Sequence, residues 1–273
     1  MITVAFACET AGALCPIYKF ILGEIMQMRY RYEYKYLINP QTADILRGRI
    51  SVIMLPDAHS DGKYIVNNLY LDDMYDSFYH AKYFGQLQRD KFRLRYYNND
   101  MSFIRLERKH KDGIVSYKET IRITEEQYFM VRAGDFRFID GEKAPLWKQL
   151  GVLNRLRCLR PTAEYAYWRE AYVYEPGNIR FTFDSPPFTL SEERLSSYDP
   201  RISTYGAEEY SPLMLEVKYT SFMPEIIKRL INGLPLAHAG ISKYNIVRER
   251  GHLPYGSIRF LARTNSGATV SIS

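Results

Sequence analysis

Polar and apolar residues alternate with period two through most of the chain from residue 29 to residue 219, the pattern of strands that bury one face. The alternation is densest between Asp90 and Lys118. There Phe92, Leu94, Ile104 and Leu106 fall on one side, and Arg93, Arg95, Arg105, Glu107 and Lys109 fall on the other. Asn98-Asn99-Asp100 and Lys111-Asp112-Gly113 supply turns, so three antiparallel strands are predicted, the third carrying Lys118. The same rule predicts strands over 29–38 (RYRYEYKYLI), 64–72, 162–174, 179–185 and 213–219. Periodicity and end signals predict helices over 41–53, near 78–84, from Thr124 onward, and at about 144–155, 224–233 and 242–250. The polar stretch 189–211 reads as a loop.

The polar faces of these strands repeat one composition. They carry Arg31, Glu33 and Lys35; Arg93 and Arg95; Arg105, Glu107 and Lys109; Lys118; Arg169; Arg180 and Asp184; and Glu216 and Lys218. Two readings are open. The face is either the solvated side of a half-buried sheet or a polar interior that holds a polyanion. The second predicts an α+β fold: an antiparallel closed β-barrel, which has no free edges and directs alternate side chains into its lumen, with flanking helices that plug or buttress an end. Two like charges ~4 Å apart repel by roughly 4 kcal/mol at an intermediate dielectric. A lumen of cations therefore calls for an anion, and arginine forks suit phosphate oxygens. Glu33, Glu107 and Glu216 cannot bind phosphate directly. They either hold a divalent cation, Mg²⁺ or Mn²⁺, or balance neighbouring lysines and arginines.

Composition narrows the picture without deciding it. The 273 residues are 46% hydrophobic and 25% charged, as expected of a globular protein with a sizeable core. The 24 tyrosines favour strands. A net charge of +6 suits an anionic partner, but the positions of the cations matter more than their excess. Cys8, Cys15 and Cys158 form no disulfide framework and no zinc spacing, which implies a reducing, cytoplasmic setting. The apolar run 3–22 is broken by Glu9, Pro16 and Lys19 and makes a poor membrane span. Residues 1–28 read as a peripheral segment, with Met26 or Met28 as alternative translation starts, and the Gly/Ser/Thr-rich residues 251–273 as a flexible tail. There is no glycine-rich phosphate loop and no solenoid repeat.

Nine short segments in order carry a family resemblance: RYEYKY at 31–36, NLYLDD at 68–73, KFRLRYY at 91–97, LERK at 106–109, YKE at 117–119, YWREAY at 167–172, IRFTFD at 179–184, LEVKY at 215–219 and SKYN at 242–245. Together they resemble the catalytic domain of the vacuolar transporter chaperone family, which is similar to the triphosphate tunnel metalloenzymes. The resemblance spans about residues 29–250. It implies a polyphosphate polymerase that passes the terminal phosphoryl group of ATP to a growing inorganic polyphosphate chain with a divalent metal. Its basic tunnel residues would be Lys35, Arg93, Arg95, Lys109, Lys118, Arg169, Arg180 and Lys218, with Lys243 beside them; Tyr70 would approach the phosphates, and Glu216 would bind the metal. Position 31 is Arg where the wider superfamily begins with a second Glu, which leans away from a two-metal hydrolase. A triphosphate hydrolase in the same tunnel and a non-catalytic polyphosphate binder are the alternatives. Neither a nucleic-acid partner nor a transmembrane segment is expected.

Overall fold

The computed structural model describes residues 32–57, 62–98, 100–113, 115–188, 213–220, 222–240, 242–250, 260–263 and 269–272. The predicted segment 1–28, Arg31 and the loop over 189–211 lie outside the described residues.

Most of the chain forms one antiparallel sheet. Its strands are β1 (Tyr32–Ile38), β2 (Leu55–Pro56), β3 (Lys63–Asp72), β4 (Gln88–Tyr97), β5 (Asp100–Asp112), β6 (Val115–Ile123), β7 (Arg160–Tyr174), β8 (Ile179–Asp184), β9 (Leu213–Tyr219) and β10 (Ala237–His238). The order is β10-β1-β9-β8-β7-β3-β4-β5-β6, with β2 paired to β7. A separate two-stranded ribbon joins β11 (Phe260–Arg263) to β12 (Thr269–Ile272). The helices are α1 (Pro40–Ile50), α2 (Ser77–Tyr83), α3 (Glu125–Arg132), α4 (Pro145–Arg157), α5 (Glu225–Ile231) and α6 (Lys243–Arg250).

Their ends follow local chemistry. Asn39 accepts a hydrogen bond from Thr42 N and Pro40 opens α1, where a missing N–H costs nothing. Thr124 and Gln127 form a reciprocal capping box on α3. Asp72 accepts from the backbone N–H groups of Phe78 and Tyr79, which anchors α2 to the end of β3.

The apolar face of the alternation packs against helices. Phe92, Leu94, Ile104 and Leu106 lie under Tyr128 and Val131 of α3 and Trp147 and Leu150 of α4. Phe181, Phe183, Leu215 and Val217 lie under Leu46 and Ile50 of α1 and Ile227 and Leu230 of α5. Burying each such side chain stabilises the fold by about 1.5–3 kcal/mol. These four helices therefore buttress the outside of the sheet rather than plug its end.

The other face is drawn inward. Lys109 on β5 reaches Glu33 on β1 at 3.3 Å, although five strands separate β1 from β5 in the sheet order. Only a strongly curled sheet brings those side chains together. The curl stops short of the closed barrel that the strand pattern predicts. β1 spends its other edge on β10, through Tyr36↔His238 and Leu37↔Ala237, and the Ala239 N–H continues to the Lys35 carbonyl. β10 thus occupies the Lys35–Leu37 part of the edge that closure would need. A side-chain ion pair spans the gap where ladder hydrogen bonds would have closed the sheet. Among the described residues no helix is long and apolar enough to cross a membrane.

Candidate functional site

The concave face can be read off the register. Tyr70, Arg93, Glu107 and Thr120 stand opposite one another across β3, β4, β5 and β6. One step along the face, Lys91, Lys109 and Lys118 align. One step the other way, Asn68, Arg95, Arg105 and Arg122 align. On the far wall Lys35 faces Glu216, which faces Thr182; Glu33 faces Lys218, which faces Arg180; and Asp184 faces Arg169. Every described candidate residue predicted from the strands thus shares this face, and Tyr70 shares it too.

The cations are not bare. Glu107, 2% exposed, accepts from Arg93 Nε at 2.7 Å and Lys118 Nζ at 2.9 Å. Lys35 Nζ lies 3.1 Å from Glu33 and 3.0 Å from Glu216. Lys218 donates to Glu216 at 2.6 Å. Arg169 forks onto both oxygens of Asp184 at 2.6 Å, and Lys243 of α6 reaches the same carboxylate at 2.7 Å. Arg180 pairs with Asp57 at 2.6 Å. Arg95 has no carboxylate among these; it donates twice to Asn68 Oδ1 and once to the Tyr167 hydroxyl. Carboxylates supply most of the compensation that the sequence assigned to a ligand. This lowers the cost of gathering the cations on one face, since a buried charge that has lost its partner costs several kcal/mol.

The pairing sets the protonation states. Burial pushes the Glu33 carboxyl up, but Lys35, Lys218 and Lys109 together bring it down to about 2. Burial likewise opposes ionisation of Glu107, and Arg93, Arg95 and Lys118 overcome it, leaving the carboxyl well below its usual range. Glu216 behaves the same way against Lys218, Lys35 and Lys243. Lys35 is held above its usual value, because Glu216 and Glu33 outweigh burial. All three carboxylates are therefore ionised at neutral pH.

Glu33 and Glu216 converge on one ammonium group, whereas Glu107 is held apart by Arg93 and Lys118. Among the described residues no three Asp, Glu, His or Cys side chains gather in a metal-binding arrangement. A hard divalent ion needs only one or two carboxylates when phosphates and water complete its shell. Glu216 and Glu33 fit that role. Beside them the Thr182 hydroxyl oxygen is buried without a hydrogen-bond partner, directly opposite Glu216 in the ladder.

Four features lay outside the residues singled out in the sequence. Lys91 shares the concave face by the same period-two rule that marks Arg93, so the signal was present. Tyr165, Tyr167 and Tyr244 make an aromatic wall with Tyr70, whose ring stacks on Tyr165 at 5.7 Å and on Tyr244 at 4.7 Å. Asp57 serves as the counter-charge of Arg180. Tyr244 brings α6 to the concave side, with its hydroxyl donating to Asp72 at 2.8 Å. No local pattern in α6 foretells that contact.

The fold and site together define a class: an antiparallel sheet curled around an ionic groove, with most of its helices outside. The chain belongs to the VTC domain family, whose sequence profile matches residues 30–249. Two solved structures are similar in part. The PH1819 protein from Pyrococcus horikoshii is 13% identical, covering 81% of this chain and 99% of its own, with a TM-score of 0.44. A Bacillus halodurans protein provisionally assigned as an adenylate cyclase is 10% identical, covering 78% and 95%, with a TM-score of 0.46. No curated protein matches the chain at a significant level.

Proposed function

We propose that the groove binds the triphosphate of ATP and transfers its terminal phosphoryl group to the end of an inorganic polyphosphate chain. Membership of the VTC domain family supports a phosphate-transfer enzyme. The observation that carries the finer reading is the ladder of inward cations: Lys35, Arg93, Arg95, Lys109, Lys118, Arg169, Arg180 and Lys218 share one face with Glu33, Glu107 and Glu216.

A terminal phosphate oxygen of the acceptor chain attacks the γ-phosphorus, the bond from that phosphorus to the bridging β–γ oxygen breaks, and ADP leaves. Such a transfer needs alignment and charge neutralisation more than a protein nucleophile. Arg93 and Arg95 fork onto equatorial oxygens. Lys35, Lys218 and Lys243 exchange part of their bonding from Glu216 and Asp184 to phosphate. Tyr70, bonded to Arg93 at 2.9 Å, fixes that guanidinium in the plane of approach. A Mg²⁺ or Mn²⁺ ion held by Glu216 with Glu33 would neutralise charge on the transferring group.

Incubation with ATP and Mn²⁺ followed by gel electrophoresis and polyphosphate staining tests the proposal. Long chains are expected from the wild type. For Glu216→Gln, which keeps the shape but loses the charge, a loss of about a hundredfold or more is expected. Release of orthophosphate alone would replace the polymerase with a triphosphate hydrolase. Tight binding without turnover would leave a polyphosphate binder.

A further inference from the structure

Arg95 aside, the cations of the inner groove that face the carboxylates are paired with them, whereas among the described residues the outermost cations at its α2 end are not. Beyond the row that contains Glu107, the concave positions of β4 to β6 read Lys91–Lys109–Lys118 and then Arg89–Lys111–Ser116. Neighbouring strands stand about 4.8 Å apart, so like charges directly opposite destabilise the sheet. Lys109 and Lys118 borrow Glu33 and Glu107. Lys82 of α2 adds another cation, close enough to Arg89, Lys35 and Lys111 to feel them.

Among the described residues none of Lys82, Arg89, Lys91 and Lys111 forms an ion pair. Lys91 donates to the Ser242 hydroxyl at 2.9 Å, and Arg89 donates to the Gln86 carbonyl at 2.5 Å. The electrostatics agree with the geometry. Burial and then Arg89 lower the pKa of Lys82 and of Lys111. Burial, with Lys35, Lys82 and Lys109, brings Lys91 to about 8 against the opposing pull of Tyr70. Glu33 reaches towards Lys111 but is already paired with Lys35 and Lys109. Among the described residues no carboxylate is left over to neutralise this end.

We propose that Lys82, Arg89, Lys91 and Lys111 form a second station for linear polyphosphate, holding the chain where it continues past the inner groove. The proposal rests on the reading of the groove as a polyphosphate site and adds where a longer chain runs. The station is continuous with the inner face, since Lys91 and Lys109 occupy the row next to Arg93 and Glu107. A nucleic acid fits less well. The groove rings Tyr165 and Tyr244 both stack on Tyr70, so these rings are engaged within the protein rather than offered to bases, whose stacking single-strand binders depend on.

The test compares tripolyphosphate with long-chain inorganic polyphosphate by calorimetry at fixed salt, for the wild type and for Lys82→Gln/Arg89→Gln/Lys111→Gln. The variant should bind tripolyphosphate within about twofold of wild type and lose long-chain affinity by about tenfold or more. The charge-conserving variant Lys82→Arg/Arg89→Lys/Lys111→Arg should keep both affinities. Undiminished long-chain binding in the glutamine variant, or equal losses for both ligands, would overturn the station. Should that variant fail to fold, the wild type still decides: the salt slope of log affinity must be steeper for the long chain than for tripolyphosphate, and equal slopes would count against the proposal. A single-stranded oligonucleotide that bound as tightly as polyphosphate and lost affinity in the same variant would overturn the choice of ligand. Wild-type protein that binds tripolyphosphate with no gain from chain length loses the station alone. Protein that binds neither loses the groove reading itself.

Discussion

Tyr70 shows how much a single residue can depend on its neighbours. Burial resists ionisation of its phenol, yet Arg93, Lys91 and Arg95 bring the pKa from 10.0 to about 7. Ultraviolet titration should therefore show a phenolate transition near pH 7, absent in Tyr70→Phe. Tripolyphosphate in the groove would place negative charge against the same cations and move the transition upward. A transition unmoved by saturating tripolyphosphate would mean that the anion does not reach Arg93. The folded pKa lies below the unfolded one, so this group adds stability as pH rises from about 7 to 10. Nothing in the sequence around Tyr70 signals this shift, because its cause sits on β4, more than twenty residues away.

At the scale of elements, turns and caps followed from local chemistry, and their strength can be checked. Gly177 closes the β7–β8 hairpin with φ +80, and a Cβ there would lie 2.7 Å from the Phe222 carbonyl oxygen. Gly177→Ala is expected to lose about 2 kcal/mol or more, measured as a denaturant midpoint shift. Gly85 has φ +68 with nothing near its Cβ position. Gly85→Ala should lose only the backbone part, about 1–2 kcal/mol. Helix α6 differs from the other elements. Its register and approximate ends were legible from 242–250, but its place was not. Lys243 to Asp184, Tyr244 to Asp72 and Arg248 to Asp76 draw it in, and each partner is remote in the chain.

For the whole molecule, the groove is an ionic lattice that ties together β1, β4, β5, β6, β8 and β9. Glu33, Glu107, Glu216 and Asp184 all have depressed pKa values in the fold. Depressed carboxylates contribute stability above their unfolded pKa, and that contribution is lost as pH falls through the folded value. For Glu33 the window runs from 4.5 down to about 2. Denaturant midpoints should fall steeply across that range, and Glu33→Gln should flatten the slope. A midpoint independent of pH there would mean that the lattice does not hold the sheet together.

The sequence by itself determined the long strands β1 and β3–β9, the turns, most helix ends and which side chains share a face, because period-two alternation and capping act over a few residues; it did not give the two-residue β2 and β10 or the ribbon β11–β12, which lies in the segment it reads as a flexible tail. It also determined that the shared face is cationic with interspersed carboxylates. The tertiary structure decided which carboxylate meets which cation, that α6 lies on the concave side, that β10 takes part of the edge of β1, and that the sheet curls without closing. Those outcomes depend on which distant strands become neighbours and how far the sheet twists, and no local pattern carries that information.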